Sequence, residues 1–406
     1  MRPDDTRTPR LSGRRFFTIA ASSCLAALLV VVLVNALVDP HDTVGWAEID
    51  GWTDRKIPDA PYGGRAALSL QLGHQDYRGV ILGTSRERFG FAPKDPLLTE
   101  RGIKNAALAG TNLDEIATVL DFAQEQQDLE IALIGLDFVA FRGGREAGGD
   151  FDDSLFAGRS PWAVQLGRLA SGLTLQDSIR TVRASRTGQG PAVSEAAEFF
   201  EQSSGPAWNR FATSLLSYAA KHYVCFAYDP AHTERLGAVL QRAVAAGVEM
   251  ILFFPPVHAT QIEAIRAAGL FPAYQQWRRD VVDVVARIAA GLPENERSRV
   301  QLWDFSGYGP FTTEPIWKHR PSDWYFESAH FRPELGSLVL QRVLEEPEKS
   351  DTFGVRIDPA TFDAHARRQR AERIQWARSH IGDAKLVRRT FRATADLRAD
   401  CPPDVG

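Results

Sequence analysis

Hydrophobic and polar positions follow three different patterns along the chain. Residues 16–38 (FFTIAASSCLAALLVVVLVNALV) are almost continuously apolar and carry no charge. About 20 such residues cross a hydrocarbon core of about 30 Å as a helix, so a transmembrane helix is predicted over 16–38. Further on, short apolar runs recur at 79–83 (GVILG), 103–108, 130–137 (EIALIGLD), 248–254 and 300–305. Each predicts a short strand, and their lack of polar alternation predicts burial on both faces. Between the runs, apolar residues return every three or four positions. This spacing predicts helices near 65–72, 112–127 (Leu113, Ile116, Ala117, Leu120), 231–246 with Gly247 as C-cap, 274–290 and 333–344.

Strands alternating with helices predict a parallel sheet covered by helices on both faces, an α/β/α sandwich of three layers. Right-handed crossovers make it a doubly wound sheet of five parallel strands. Ligands bind such sheets outside the carboxyl ends of the strands. The positions just after strands therefore carry the candidate chemistry: Ser85, Gly110, Asn112, Asp137, residues 255–258 and Ser306. Between 138 and 230 the alternation stops, and Gly-rich turns and helical patterns take over. That stretch is too long for a bare loop and is expected to be a helical insertion at the carboxyl edge. The expected plan is a basic segment 1–15, the membrane helix 16–38, a connector 39–61, an α/β domain 62–345 containing the insertion 138–230, and a charged tail 346–406. The Arg-rich helix expected near 359–379 in that tail reads as a solvated surface helix.

Composition changes this picture little. The chain has 406 residues, 44% of them hydrophobic, and a net charge of −4, which gives no reason to expect nucleic acid as a partner. Cys24, Cys225 and Cys401 form no disulfide framework and fit no zinc site. Charge placement says more. Arg2, Arg7, Arg10, Arg14 and Arg15 precede the apolar run, which favours a cytoplasmic N-terminus. The run is longer than a signal core, and no small-x-small cleavage site follows it, so a retained anchor is expected. Everything after Asp39 then lies outside the cytoplasm. No phosphate-binding loop and no Gly-x-Gly-x-x-Gly opens a helix, so no cofactor is expected, and no metal.

Ser85 stands in Gly83-Thr84-Ser85-Arg86, directly after the first strand. Taken alone, it suits a helix start and a nucleophile equally. A serine hydroxyl needs a base to take its proton, and a carboxylate to hold that base in the right tautomer. Glu327-Ser328-Ala329-His330, just before the helix at 333–344, offers both. Acyl transfer also needs donors for the developing oxyanion. The amides of Ser85 and Gly110 and the side chain of Asn112 are candidates, although Gly110 and Asn112 equally suit a turn and a helix cap. His258 follows the fourth strand and either contacts substrate or caps a helix. Arg86, with Arg88, flanks the serine and is either a contact for an anionic polysaccharide or, on the simpler reading, a surface arginine.

In the order of these blocks the chain resembles the SGNH hydrolase superfamily, whose sheet is flavodoxin-like, and within it a membrane-anchored branch related to alginate O-acetyltransferases. Gly83-Thr84-Ser85 matches the nucleophile block. Ala109-Gly110-Thr111-Asn112 matches the glycine block, and Glu327 to His330 matches the last block, with Glu in place of Asp. The third block departs: the family has Gly-x-Asn-Asp, and here Gly135-Leu136-Asp137-Phe138 stands. An ionised Asp137 accepts hydrogen bonds and cannot donate one to an oxyanion. The resemblance spans residues 79–344. It implies catalysis by Ser85, His330 and Glu327, with Gly110, Asn112, Asp137, His258 and Arg86 around the oxyanion and substrate. It further implies a protein of the bacterial inner membrane with its bulk in the periplasm, acting as an O-acyl esterase or O-acetyltransferase on an acylated polysaccharide or acyl donor. The departure at Asp137 leaves a second expectation: an inactive accessory protein that binds polysaccharide or partners a membrane-bound O-acyltransferase.

The topology is directly testable. Alkaline phosphatase fused after residue 345 is expected to be active. A stably expressed but inactive fusion contradicts a periplasmic domain.

Overall fold

A computed structural model of the chain describes residues 13–46, 48–56, 64–144, 146–188, 206–345, 353–399 and 401. Most of the expected basic segment, at 1–12, lies outside the described residues, as do parts of the connector (57–61), the insertion (189–205) and the tail (346–352).

The principal described elements, in chain order, are α1 (Gly13–Val38), α2 (Arg65–His74), β1 (Gly79–Leu82), α3 (Ser85–Gly90), β2 (Ile103–Asn105), α4 (Leu113–Gln126), β3 (Ile131–Gly135), α5 (Pro161–Leu169), α6 (Gly172–Thr187), α7 (Ala207–Ser217), α8 (Pro230–Ala245), β4 (Glu249–Phe254), α9 (Ala259–Ala267), α10 (Phe271–Ala290), β5 (Val300–Asp304), α11 (Pro333–Leu344), β6 (Val355–Arg356), α12 (Pro359–Ser379) and α13 (Ile381–Ala393). Short helical turns connect several of them.

These elements gather into two compact units. One holds the described residues of Met1–Pro58 and Gly158–Ala192, and the other those of Asp59–Ala157 and Val193–Gly406. The expected insertion is thus divided, with α5 and α6 grouping with the N-terminal helix. In this first unit α1 is long and apolar enough to cross a membrane, and no residue of its apolar window is buried. Its last turn is tied to the α5–α6 corner. Asn35, wholly buried, donates to the carbonyls of Leu169 (2.8 Å) and Ser171 (3.1 Å) and accepts from the Ser178 hydroxyl at 2.9 Å. The residues after α1 fold onto the same helices. Asp39 accepts from the amides of Thr43, Val44 and Gly45, and His41 bridges Asp177 and Arg168.

The second unit is mixed α/β, built on a six-stranded, mostly parallel sheet of order β2-β1-β3-β4-β5-β6. The five parallel strands occur at the five apolar runs. The sheet has one strand more than expected: β6, antiparallel to β5, comes from the tail. It covers an edge that would otherwise present unpaired backbone groups. The direction of winding reverses between β1 and β3, so the loops after these two strands flank the switch point where ligands of such sheets bind.

The tail is not a solvated helix. Phe362, Trp376, Leu386, Val387 and Phe391 of α12 and α13 are buried. What ties it down is Asp304, at the end of β5 and 2% exposed. This carboxylate pairs with Arg278, accepts from His365 at 2.7 Å and from Gln369 at 3.1 Å. Burial alone would raise its pKa, but the Arg278 charge and the bonds from His365 and Ser306 hold it well below the ordinary value. A surface pattern of Arg and Glu concealed these two buried polar anchors.

Cysteine pairing also departs from expectation. Cys225 and Cys401 form a disulfide across 176 residues, which ties the end of the tail to the segment before α8. Spacing alone could not identify a pair so distant in sequence. Closing so long a loop restricts the unfolded chain, typically worth about 2–4 kcal/mol. Cys401→Ser is therefore expected to lower the unfolding midpoint in denaturant, and dithiothreitol to lower that of the wild type while leaving the variant unchanged. Equal midpoints for all samples would remove the disulfide from the stability of the fold.

Candidate active site

Ser85 is the first residue of α3, immediately after β1 and a two-residue turn. Thr84 caps this helix: its hydroxyl accepts from the Arg86 amide, and the Glu87 carboxyl group accepts from the Thr84 amide at 2.8 Å. This reciprocal capping fixes the entry of the helix and leaves the Ser85 hydroxyl at the carboxyl edge of the sheet. Gly83 makes the turn possible, since its φ of 149° suits glycine and a Cβ there would run into the Glu87 side chain.

His330 arrives from a hairpin. Tyr325 and Phe331 form an antiparallel bridge, and the Phe326 amide donates to the His330 carbonyl at 2.9 Å. The helix that follows, α11, packs on α3 at two glycines: a Cβ on Gly336 would overlap the Gly90 carbonyl, and a Cβ on Gly90 would overlap the Phe331 ring. This close approach brings serine and histidine together. Ser85 Oγ lies 2.7 Å from His330 Nε2.

Glu327 orients the ring by a hydrogen bond between its Oε1 and His330 Nδ1. The same carboxylate accepts from the amides of Ala329 and His330, both at 3.0 Å. With Nδ1 carrying the proton for Glu327, Nε2 is the acceptor facing the Ser85 hydroxyl. Burial pushes the Glu327 pKa up, but the His330 charge and hydrogen bonds from His330, Ser214 and the Ala329 amide outweigh it, bringing it down to about 2. Glu327 is therefore an anion at neutral pH. Ser328, wholly buried, extends the network, with its Oγ 2.8 Å from Ser214 Oγ and 3.0 Å from Gln261 Oε1.

The other predicted residues are placed differently. Asp137 is buried after β3 and forms an ion pair with Arg86 at 3.0 Å. It also accepts from Thr84 Oγ1 at 3.3 Å and from the Val139 amide at 3.1 Å. All of these roles are those of an acceptor. Arg86 is not a surface contact: it is buried, and besides Asp137 it reaches the Tyr218 hydroxyl. Burial would lower its pKa, yet Asp137 and Tyr218 drive it above the ordinary value. The pair lines a small, partly open pocket with Tyr223, Gln261, Tyr274 and Trp277, whose lining does not include Ser85. His258 is wholly buried and caps α9. Its Nδ1 takes the Thr260 amide and its Nε2 meets the Glu314 carbonyl, leaving no face for substrate. Burial brings its pKa down to about 4. Asn112 is buried as the N-cap of α4, in a reciprocal capping pair with Glu115. Gly110 is exposed, in a left-handed turn (φ 70°) after β2. Among the candidates, Ser85, His330 and Glu327 are thus joined directly. Among the described residues, no cluster suited to a metal ion occurs.

Sequence reasoning missed Ser214, Ser328, Gln261 and Glu87. Thr84-x-x-Glu87 is a legible capping pattern that marks Glu87; nothing comparable marks the others. Compared with family models and with curated proteins, the chain gives no match.

Glu87 generates a pH prediction. Fully buried next to the Asp137 charge, its pKa is raised to about 8, burial being the main cause, from an ordinary 4.5. The folded state therefore holds a proton that the unfolded chain releases more readily. The resulting stabilisation is complete below about pH 4.5 and is lost as pH rises through about 8. Glu87→Gln is expected to flatten this decline and to be more stable than wild type at alkaline pH, as thermal midpoints measured across that window would show. Parallel pH profiles for the two proteins would refute an unionised Glu87.

Proposed function

We propose that the chain is a membrane-anchored, serine-dependent O-acyl esterase or acyltransferase of the SGNH type, acting on an exported or cell-surface polysaccharide in the periplasm. The observation that carries this reading is the continuous hydrogen-bonded line Ser85–His330–Glu327 at the carboxyl edge of a mostly parallel sheet. Its order and strand positions are those the SGNH blocks imply. Compartment is supported by α1, with arginines before it, and by the Cys225–Cys401 disulfide, which suits an oxidising environment.

The chemistry follows from the tautomer. His330 Nε2 takes the hydroxyl proton as Ser85 Oγ attacks the ester carbonyl. The imidazolium that forms is stabilised by anionic Glu327 and returns its proton to the departing sugar oxygen as the acyl–oxygen bond breaks. Water, or a second sugar hydroxyl, then loses a proton to His330 and takes the acyl group as the bond to Ser85 Oγ breaks, and His330 returns that proton to Ser85 Oγ. Water gives hydrolysis and sugar gives transfer.

A second reading is favoured by one feature. Asp137 stands where the family has an asparagine donor, and it is bound to Arg86. A site with one oxyanion donor fewer suits an accessory protein that binds polysaccharide or partners a membrane-bound O-acyltransferase.

The two readings part on covalent reactivity. A fluorophosphonate probe is expected to label the wild-type chain and not Ser85→Ala. Glu327→Gln is expected to lower turnover of an acetyl ester by about 1,000-fold or more, since the histidine tautomer is no longer held. Equal lack of labelling in wild type and Ser85→Ala, with polysaccharide still bound, favours the accessory reading.

A further inference from the structure

The first unit exposes several large apolar side chains beside its exposed arginines. Trp162 and Leu166, one turn apart on α5, are 72% and 50% exposed, and Leu173 at the start of α6 is 72% exposed. Trp46 and Ile49, in the segment after α1, are also more than half exposed. Of the second unit's tryptophans, Trp277, Trp303 and Trp376 are buried and Trp317 is 37% exposed. A helix such as α5 would ordinarily turn Trp162 and Leu166 inward.

The position of this surface along α1 identifies its occupant. Asn35 is bonded to the carbonyls of Leu169, the last residue of α5, and of Ser171, the cap of α6. The apolar run ends at Val38, three residues later, which is about 4.5 Å of helix rise. The α5–α6 corner is therefore fixed to α1 at the level where the helix leaves the apolar layer. Leu166 and Leu173 flank this corner and Trp162 stands further back along α5; such side chains suit the headgroup–acyl boundary, where indole rings concentrate. Arg183 and Arg186 follow further along α6, both exposed, as suits a helix running out over headgroups.

From this we infer that α5 and the start of α6 form a second membrane contact. It is an interfacial shelf, inserted into the leaflet where α1 ends, with Trp162, Leu166 and Leu173 in the acyl boundary. The inference rests on the membrane-anchor reading of α1. It means that the first unit is held at two points and is not free to swivel about a single helix.

The test uses the full-length chain in liposomes, with one spin label at a time. Labels go on Leu166→Cys or Leu173→Cys in a Cys24→Ser background, on native Cys24, and on Ile374→Cys in the same background as an exposed site in the second unit. Collision rates with oxygen, which partitions into lipid, are compared with those of a water-soluble nickel chelate. Oxygen collisions are expected to dominate at 166 and 173, as at Cys24, with the opposite ratio at 374. If Cys24 is in lipid while 166 and 173 match 374, the shelf is refuted and the anchor stands. Labels at 166 and 173 shielded from both reagents would indicate a protein partner, such as a second copy, and also refute it. Nickel access at Cys24 would remove the anchor and the shelf together.

Discussion

Glu327 is a carboxylate taken out of water, and the geometry of the candidate site depends on how it is compensated. An unpaired buried charge would be costly. Two backbone amides of its own hairpin, a serine hydroxyl and the His330 ring supply the donors. Because the amides fix the carboxylate and the carboxylate fixes Nδ1, the remaining ring nitrogen has one direction left, toward Ser85. The hairpin is held in turn by the Tyr325–Phe331 bridge and by the His258 amide on the Ser328 carbonyl. His258 thus supports the site from beneath, although it never reaches the cleft.

A second set of buried charges underlies the serine, and it is compensated differently. Asp137 is neutralised by Arg86, while Glu87, in the same low-dielectric region, has its pKa raised to about 8. The two glutamates of the site are therefore driven in opposite directions, Glu327 to about 2 by its donors and Glu87 upward by burial. Environments that separate carboxyl groups in this way are common where one must remain an anion. Backbone proximity contributes as much as charge. The contact of Gly90 with Gly336 lets α3 and α11 approach closely enough for a hydroxyl and an imidazole to meet.

Much of the second unit was legible along the chain. The five parallel strands follow from apolar runs because strands covered on both faces tolerate few polar residues. The helices ending near Gln126, Ala245 and Ala290 follow from a period of three to four. Ser85 was legible because it follows a strand and starts a helix, where the alternation itself locates the carboxyl edge, and Glu327 and His330 because they stand three residues apart shortly before the last helix of the α/β alternation, although the hairpin that carries them was not. Asn112 and His258 were legible only as polar residues at helix starts. Whether such a residue caps its helix or faces a cleft depends on what covers it, and here both are buried. The sixth strand was hidden because two residues carry no periodicity.

What the sequence determined by itself was local or periodic: the long apolar helix, the order of strands and helices, and the carboxyl-edge positions of the candidate residues. These depend on neighbours within a few residues, so the pattern contains them. Only the tertiary structure decided the contacts between distant segments. Among these are the disulfide from Cys225 to Cys401, the anchoring of a charged tail through His365 and Gln369 on Asp304, and the grouping of α5 and α6 with the N-terminal helix. It also decided which polar groups lose their water. A residue's type says what it can donate or accept, whereas burial and partners, both products of packing, determine its charge and direction.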